Sequence, residues 1–225
     1  MFTQLYRQSI SSILSSVLLG NTLYADGIIV DTAVASKYQS TMESAANGTP
    51  LINIVKPNSS GLSHNKFSEF NINPAGVILN NATNAALTQL GGWIQGNAKL
   101  GTTPAKVILN EVTGTNRSLL RGYGEIAGHS ADLIIANPNG ITVNGGGFIN
   151  TPRATLTTGT AILNGNTLEG FHVQHGNILI EGTGLNASNI DRVDLYTKAL
   201  QLNAKIYAKK LDVVTGEDRI AIDGT

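Results

Sequence analysis

The sequence predicts an all-β chain wound as a parallel β-helix, and three observations predict it. Four aliphatic runs close on asparagine: Val77-Ile78-Leu79-Asn80, Val107-Ile108-Leu109-Asn110, Ile134-Ile135-Ala136-Asn137 and Ala161-Ile162-Leu163-Asn164, with the asparagines 30, 27 and 27 positions apart. That spacing suits successive coils of a solenoid, each presenting the same strand and turning at the same corner. Further on, Val193-Asp194-Leu195, Leu200-Gln201-Leu202, Lys205-Ile206-Tyr207 and Leu211-Asp212-Val213 are three-residue alternations, the pattern of short strands with one buried face. Strands this short hold only if each stacks on the coil before it. The third observation is composition: an aliphatic core with 25 glycines and few aromatics favours short strands joined by tight turns over long helices.

Taken in order, the chain opens with a segment of a different kind. Arg7 is the one charge before the serine-interrupted apolar run Ile10–Leu19, and Leu23-Tyr24-Ala25 precedes Asp26. This is the layout of a secretory signal peptide over residues 1–25, cleaved between Ala25 and Asp26. The run is shorter than the roughly 20 residues of a membrane-spanning helix. The mature part, 26–225, is long enough for one domain with a single core.

The β-like stretches 27–30 and 51–55 fall before the repeats, so the region before about Asn71 is expected to cap the first coil, whose edge would otherwise invite association. Asn73-Pro74-Ala75-Gly76 and Asn137-Pro138-Asn139-Gly140 carry type I turn preferences, and each leads into an aliphatic run, the second beginning at Ile141. Gly122-Tyr123-Gly124 and Gly145-Gly146-Gly147 read as corners, the latter a tight one. The best helix candidate is 83–90. Trp93, the one tryptophan, is expected in the core or cap, the alternative being a partner-facing position. Asn110, Asn137 and Asn164 are expected to stack as an amide ladder at one corner.

Charge and chemistry limit the functions. With 15 basic and 15 acidic residues, the chain has no electrostatic footprint for nucleic acid. No cysteine is present, which removes disulfides and thiolate metal sites. β-Helical enzymes acting on polysaccharide need carboxylates gathered in one groove, whereas Glu111 and Glu125 lie 14 positions apart and Asp191 and Asp194 fall on opposite faces of a strand. His172 and His175 also point apart on a strand, which disfavours a shared metal. His64 beside Ser63 lacks a nucleophile-elbow pattern and reads as a turn histidine bonding backbone. No catalytic residue, cofactor or metal site is assigned.

A family resemblance rests on several of these residues together. The stretch from Ala136 through Asn137-Pro138-Asn139-Gly140-Ile141 to Asn150, followed by Ala154–Gly159, resembles the NPNGI region of two-partner-secretion domains, the N-terminal part of filamentous haemagglutinins and contact-dependent inhibition toxins. Gly61-Leu62-Ser63-His64-Asn65, Leu109-Asn110-Glu111-Val112 and Val213-Val214-Thr215-Gly216 resemble further family elements, in family order. The family's NPNL signature aligns with Asn97-Ala98-Lys99-Leu100, where its proline and second asparagine are missing. Many relatives carry a cysteine pair at the positions of Val143 and Gly146.

The resemblance implies a right-handed β-helix with an N-terminal cap and a small sheet outside the helix. It implies a chain delivered by the Sec machinery and recognised by the POTRA domains of a dedicated outer-membrane transporter, with Asn97–Leu100 as the recognition site. Such a chain folds after leaving the pore and seeds the coils that follow. Contacts with host or neighbouring cells would belong to downstream regions of an adhesin, haemolysin or toxin. A carbohydrate-active enzyme and a free-standing adhesin are the alternatives.

Overall fold

The structure is a computed structural model that describes residues 27–222 and Gly224; the expected signal peptide, with Ala25 and Asp26, lies outside the described residues. The described chain opens with β1 (Ile28–Val30), then β2 (Thr41–Ser44) and β3 (Pro50–Asn53). The first coil contains β4 (Leu62–Phe70) and β5 (Val77–Asn81), after which β6 (Ala86–Thr88) and β7 (Gly92–Ile94) leave it as a hairpin. The second coil is β8 (Val107–Val112), β9 (Ser118–Leu120) and β10 (Tyr123–Gly128), and the third β11 (Asp132–Ala136), β12 (Ile141–Val143) and β13 (Gly146–Ile149). The fourth begins with β14 (Arg153–Thr157), is interrupted by the hairpin β15 (Gly159–Asn164) and β16 (Thr167–Val173), and resumes with β17 (Asn177–Ile180) and β18 (Leu185–Ala187). The last comprises β19 (Arg192–Thr197), β20 (Ala199–Leu202) and β21 (Ile206–Ala208); β22 (Leu211–Thr215) stacks above it, and β23 (Asp218–Ala221) turns away.

Three parallel faces result. One runs β4-β8-β11-β14-β19-β22, the second β3-β5-β10-β13-β18-β21 and the third β9-β12-β17-β20. Antiparallel β1 closes the first at its start, and antiparallel β2 closes the second. The cap is therefore smaller than the sequence suggested, because β3 and β4 already pair in parallel with the helix. Outside lies the antiparallel sheet β15-β16-β23.

Register gives the true period. Ile108 faces Leu133, Leu133 faces Ala154 and Val193 faces Leu211, intervals of 25, 21 and 18 positions. The 27-to-30-residue repeat does not mark equivalent positions: Val77–Asn80 lies on the second face, 107–110 and 134–137 on the first with Asn110 opposite Ile135, and Ala161–Asn164 in the outer sheet. What the first three runs share is burial on both sides. Leu133 and Ile135 fill the helix interior, while Ile134 and Ala136 pack outward with Phe171, Val173 and Ile220 of the outer sheet. Val77 and Leu79 likewise point in while Ile78 packs outward with Ile94 of the β6–β7 hairpin. A doubly covered strand reads as a continuous aliphatic run, and alternation marks the less covered β20 to β22, while in β19 it reflects the buried Asp194.

The asparagine ladder falls elsewhere for the same reason. Asn53 faces Asn80, and the two amides join at 2.8 Å. Asn65 faces Asn110 inside the first face: Asn65 accepts from Val55 N at 2.9 Å, whereas the buried Asn110 amide has no hydrogen-bond partner among the described residues. The helix expected over 83–90 is instead strand β6, because Thr88 Oγ1 accepts from Gly91 N and donates to Gly92 O, closing a hairpin. Gly145, at φ +89°, forms its corner alone, since Gly146 and Gly147 already belong to β13. Gly122 makes the other corner, where a Cβ would lie 2.1 Å from Asn73 O, and Tyr123 and Gly124 start β10.

Charged residues tie the outer pieces down. Asp194, fully buried, is held by Arg153 and by Arg192 Nε at 2.6 Å, and Arg153 Nη2 also donates to Ile222 O beyond β23. His64 is a strand residue rather than a turn one: β4 carries it to Glu111, Nε2 to Oε2 at 2.7 Å, with Lys66 Nζ 3.2 Å from the same oxygen. The cap's Tyr38 ring packs edge-on to His64 at 4.9 Å. Burial raises the Glu111 carboxyl, but the His64 hydrogen bond and the Lys66 charge outweigh it and hold the group below its ordinary value.

Two outcomes follow from these networks. Asp194→Asn leaves two guanidinium groups over a buried site, so urea unfolding should show a loss of about 3–5 kcal/mol, and an unchanged midpoint would contradict the assignment. Because the Glu111 value is lowered on folding, its contribution is present above the ordinary carboxylate value of 4.5 and is lost as pH falls through the folded value. The stability gap between parent and Glu111→Gln, about 1–3 kcal/mol at neutral pH, should therefore close when urea midpoints are measured in strong acid.

Candidate functional site

The NPNL-like segment lies where the chain returns from the β6–β7 hairpin to the helix. Asn97 accepts from Lys99 N at 3.0 Å and opens a single 3₁₀ turn over Ala98–Leu100. Its amide donates to Ile54 O at 2.9 Å and to Asn80 O at 3.0 Å, so one buried side chain ties the excursion to β5 and to the residue after β3. Asn81 repeats this, donating to Ala105 O and His129 O while accepting from Ala105 N. Leu100 is fully buried in the main core. Ala98 is exposed, and the half-buried Lys99 places Nζ 2.9 Å from Gln39 O in the cap. Desolvation pushes the Lys99 ammonium below its ordinary value.

Asn137–Gly140 is a closed turn between β11 and β12. Gly140 N donates to Asn137 O at 3.0 Å, and Asn137 Oδ1 accepts from Asn139 N at 2.9 Å. The Asn137 amide also reaches Ser118 Oγ, tying the corner to the coil beneath. Gly140 has φ +108°, and a Cβ there would lie 2.8 Å from Asn177 O of the coil above. Ile141 then enters β12, fully buried. Asn73–Gly76 closes in the same way, Gly76 N to Asn73 O at 2.9 Å. Beyond the NPNGI turn, a Cβ on Gly146 would lie 2.9 Å from Val143 Cγ1, so the two positions for which the resemblance implied a cysteine pair are neighbours filled here by one valine.

The polar residues weighed for chemistry are spread across the molecule. Glu111 is on the first face with His64, whereas Glu125, on the second, accepts from Gln89 N and Leu90 N at 2.7 and 2.8 Å and so holds the hairpin. Asp191 is exposed and pairs with Lys209, away from buried Asp194 in β19. His172 is in β16, and His175 is exposed after it. Among the described residues no group of three potential metal ligands comes together.

Trp93 departs from its expected core position: it is 70% exposed and faces the 65%-exposed Leu87 across the hairpin. The β6–β7 hairpin is only three residues deep on each side and buries its other face, through Ile94, on Ile78 and Leu51. Two recesses flank the cap turn Ser36–Tyr38. One, of about 200 Å³, is lined by Lys37, Tyr38, Lys56, His64 and the β15–β16 tip at Asn166. The other, of about 320 Å³, adds Lys99 and shares Lys37, Val55 and Lys56. Sequence reasoning missed Lys37 and Lys56, for only the fold brings them to Lys99.

The family model described as "TPS secretion domain" matches residues 26–224. The chain is 47% identical over 223 residues to a protein of Enterobacter cloacae named 16S rRNA endonuclease CdiA, and 45% identical over 218 residues to a tRNA nuclease CdiA of Escherichia coli O6:K15:H31. These alignments take in 98% and 96% of this chain but 7% of each relative, so the chain spans a small fraction of the proteins it resembles. The crystal structure of a filamentous hemagglutinin secretion domain superposes with a TM-score of 0.78 at 37% identity, covering 88% of this chain and 66% of that one. With the family model spanning nearly all described residues and a matching β-helix, the chain belongs to the TPS secretion domain family.

Proposed function

We propose that this domain is the recognition and nucleation module of a longer exoprotein. Residues 1–25 deliver the chain through the Sec machinery, and the POTRA domains of a cognate outer-membrane β-barrel transporter then bind it at Asn97–Leu100 in the periplasm. The chain crosses the pore unfolded and winds its coils outside the cell. The nuclease named in the relatives is read as belonging to their remaining length.

The observation that carries this reading is the burial of the recognition segment. Asn97 and Leu100 are inaccessible in the folded domain, and only Ala98 and part of Lys99 are offered to a partner. A transporter that reads Asn97 and Leu100 must meet them before folding, and folding then hides them. The site is thereby consumed, which gives export a direction without nucleotide hydrolysis; each coil that forms outside buries apolar surface worth roughly 25 cal/mol per Å².

Two burials of equal size separate recognition from stability. Leu100→Ala and Leu156→Ala both truncate fully buried core leucines and should each cost about 2–5 kcal/mol. With the transporter co-expressed, the parent and Leu156→Ala should reach the medium, whereas Leu100→Ala and Asn97→Ala should remain in the periplasm. Equal export per unit of lost stability would make the segment purely structural. Appearance of the parent in the medium without the transporter would favour a free-standing adhesin or enzyme.

A further inference from the structure

The inward column of the first face changes chemistry along the stack. From the third coil onward it is aliphatic: Ile135 lies opposite Leu156, Leu156 opposite Leu195, and Leu195 opposite Val213. In the first two coils the same column holds Asn65 and Asn110, with Asn110 directly opposite Ile135. Asn110 alternates with Ile108 and Val112, both in the main core, and is itself fully buried.

The two asparagines differ in how their amides are used. Asn65 Oδ1 accepts from Val55 N at 2.9 Å, and its Nδ2 donates to Ser63 O, Ser63 Oγ and Leu109 O. Asn110 has neither a donor for its Oδ1 nor an acceptor for its Nδ2 among the described residues. A bridging water needs about two to four polar partners, and this column offers little beyond Asn65, whose amide is committed.

Burying an amide without a partner costs free energy that an aliphatic side chain of similar shape does not. Such groups are rare in folded proteins. The column takes Ile135 one coil on, so its packing does not demand asparagine here. The cost falls at one place, the joining of β4 to β8, where the second coil stacks on the first along this face. We infer that Asn110 is a brake on winding: it disfavours that stacking step until later coils add their burial. Resting on the reading above, the brake keeps the chain unwound on the periplasmic side of the pore. That reading requires an unfolded chain before export and a stable helix after it. A penalty confined to an early step delays folding, yet leaves the aliphatic column from Ile135 onward to stabilise the finished stack. The brake is built into the chain and calls for no partner.

The first half of the test needs no transporter. Refolding and unfolding of the whole chain after urea jumps are followed by circular dichroism. Asn110→Leu and Asn110→Val both remove the orphan amide, the smaller valine guarding against a leucine too large for the column. At least one should refold roughly tenfold faster than the parent, with little change in unfolding rate. Asn65→Leu removes an amide in use and should act oppositely, lowering the urea midpoint. Asn110→Ser keeps a polar group in the column and should refold no faster than the parent. With the transporter co-expressed, the fast-refolding variant should accumulate in the periplasm as a protease-resistant domain, and its amount in the medium should fall several-fold. Asn110→Ser should be exported like the parent. Unchanged or slower refolding of both Asn110→Leu and Asn110→Val would overturn the brake, and a loss of export at that unchanged rate would mean that the transporter reads Asn110 directly. Faster refolding with undiminished export would overturn the link to export. Transporter-independent export of the parent would sink the functional reading and leave the refolding result to stand.

Discussion

Parallel pairing in register governs this molecule more than any single contact, because each strand is too short to hold itself and takes its backbone partners from the coil before it. Once Leu133 lies opposite Ile108 and Ala154 opposite Leu133, the inward columns of all three faces are set, and every corner must return the chain at a fixed height. The corners obey that demand through asparagine. Asn137 closes its own turn and reaches the coil below, and Asn97 and Asn81 do the same for the 25-residue excursion from Ala82 to Lys106. A short amide satisfies buried backbone where no strand partner exists, which is why asparagine recurs in a chain with little other polar chemistry.

How far the sequence was legible depended on what covers each strand. The alternating triplets from Leu200 to Val213 are legible as stacked strands because their outer side faces water or sparse cover, whereas Val193-Asp194-Leu195 alternates only because its outward position is a buried carboxylate held by Arg153 and Arg192. The continuous runs at 77–80, 107–110 and 134–137 were read correctly as strands but wrongly as equivalent, since double burial hides which face is which. Covering elements are what local pattern does not encode: the β15–β16 hairpin and β23 come from opposite sides of the last two coils, and their meeting is fixed by Arg153, Asp194 and Tyr196.

The candidate site was legible in part for the same reason. Asn97 to Leu100 could be located by resemblance, but that two of its four residues face inward depends on the hairpin preceding it. Lys37 and Lys56 carry no local signal at all. Exposed Trp93 breaks the burial tendency of its residue type because the hairpin bearing it is too thin to cover both of its faces.

One asymmetry of the stack sets a polarity. At the start, β1 and β2 run antiparallel to their neighbours and block further parallel addition. At the other end β20, β21 and β22 are the free edges of all three faces and leave Leu202, Tyr207, Leu211 and Val213 half exposed. Among the described residues the stack therefore differs at its two tips: antiparallel strands terminate two of its faces at the start, while β20, β21 and β22 end it in parallel register with their outer edges unpaired.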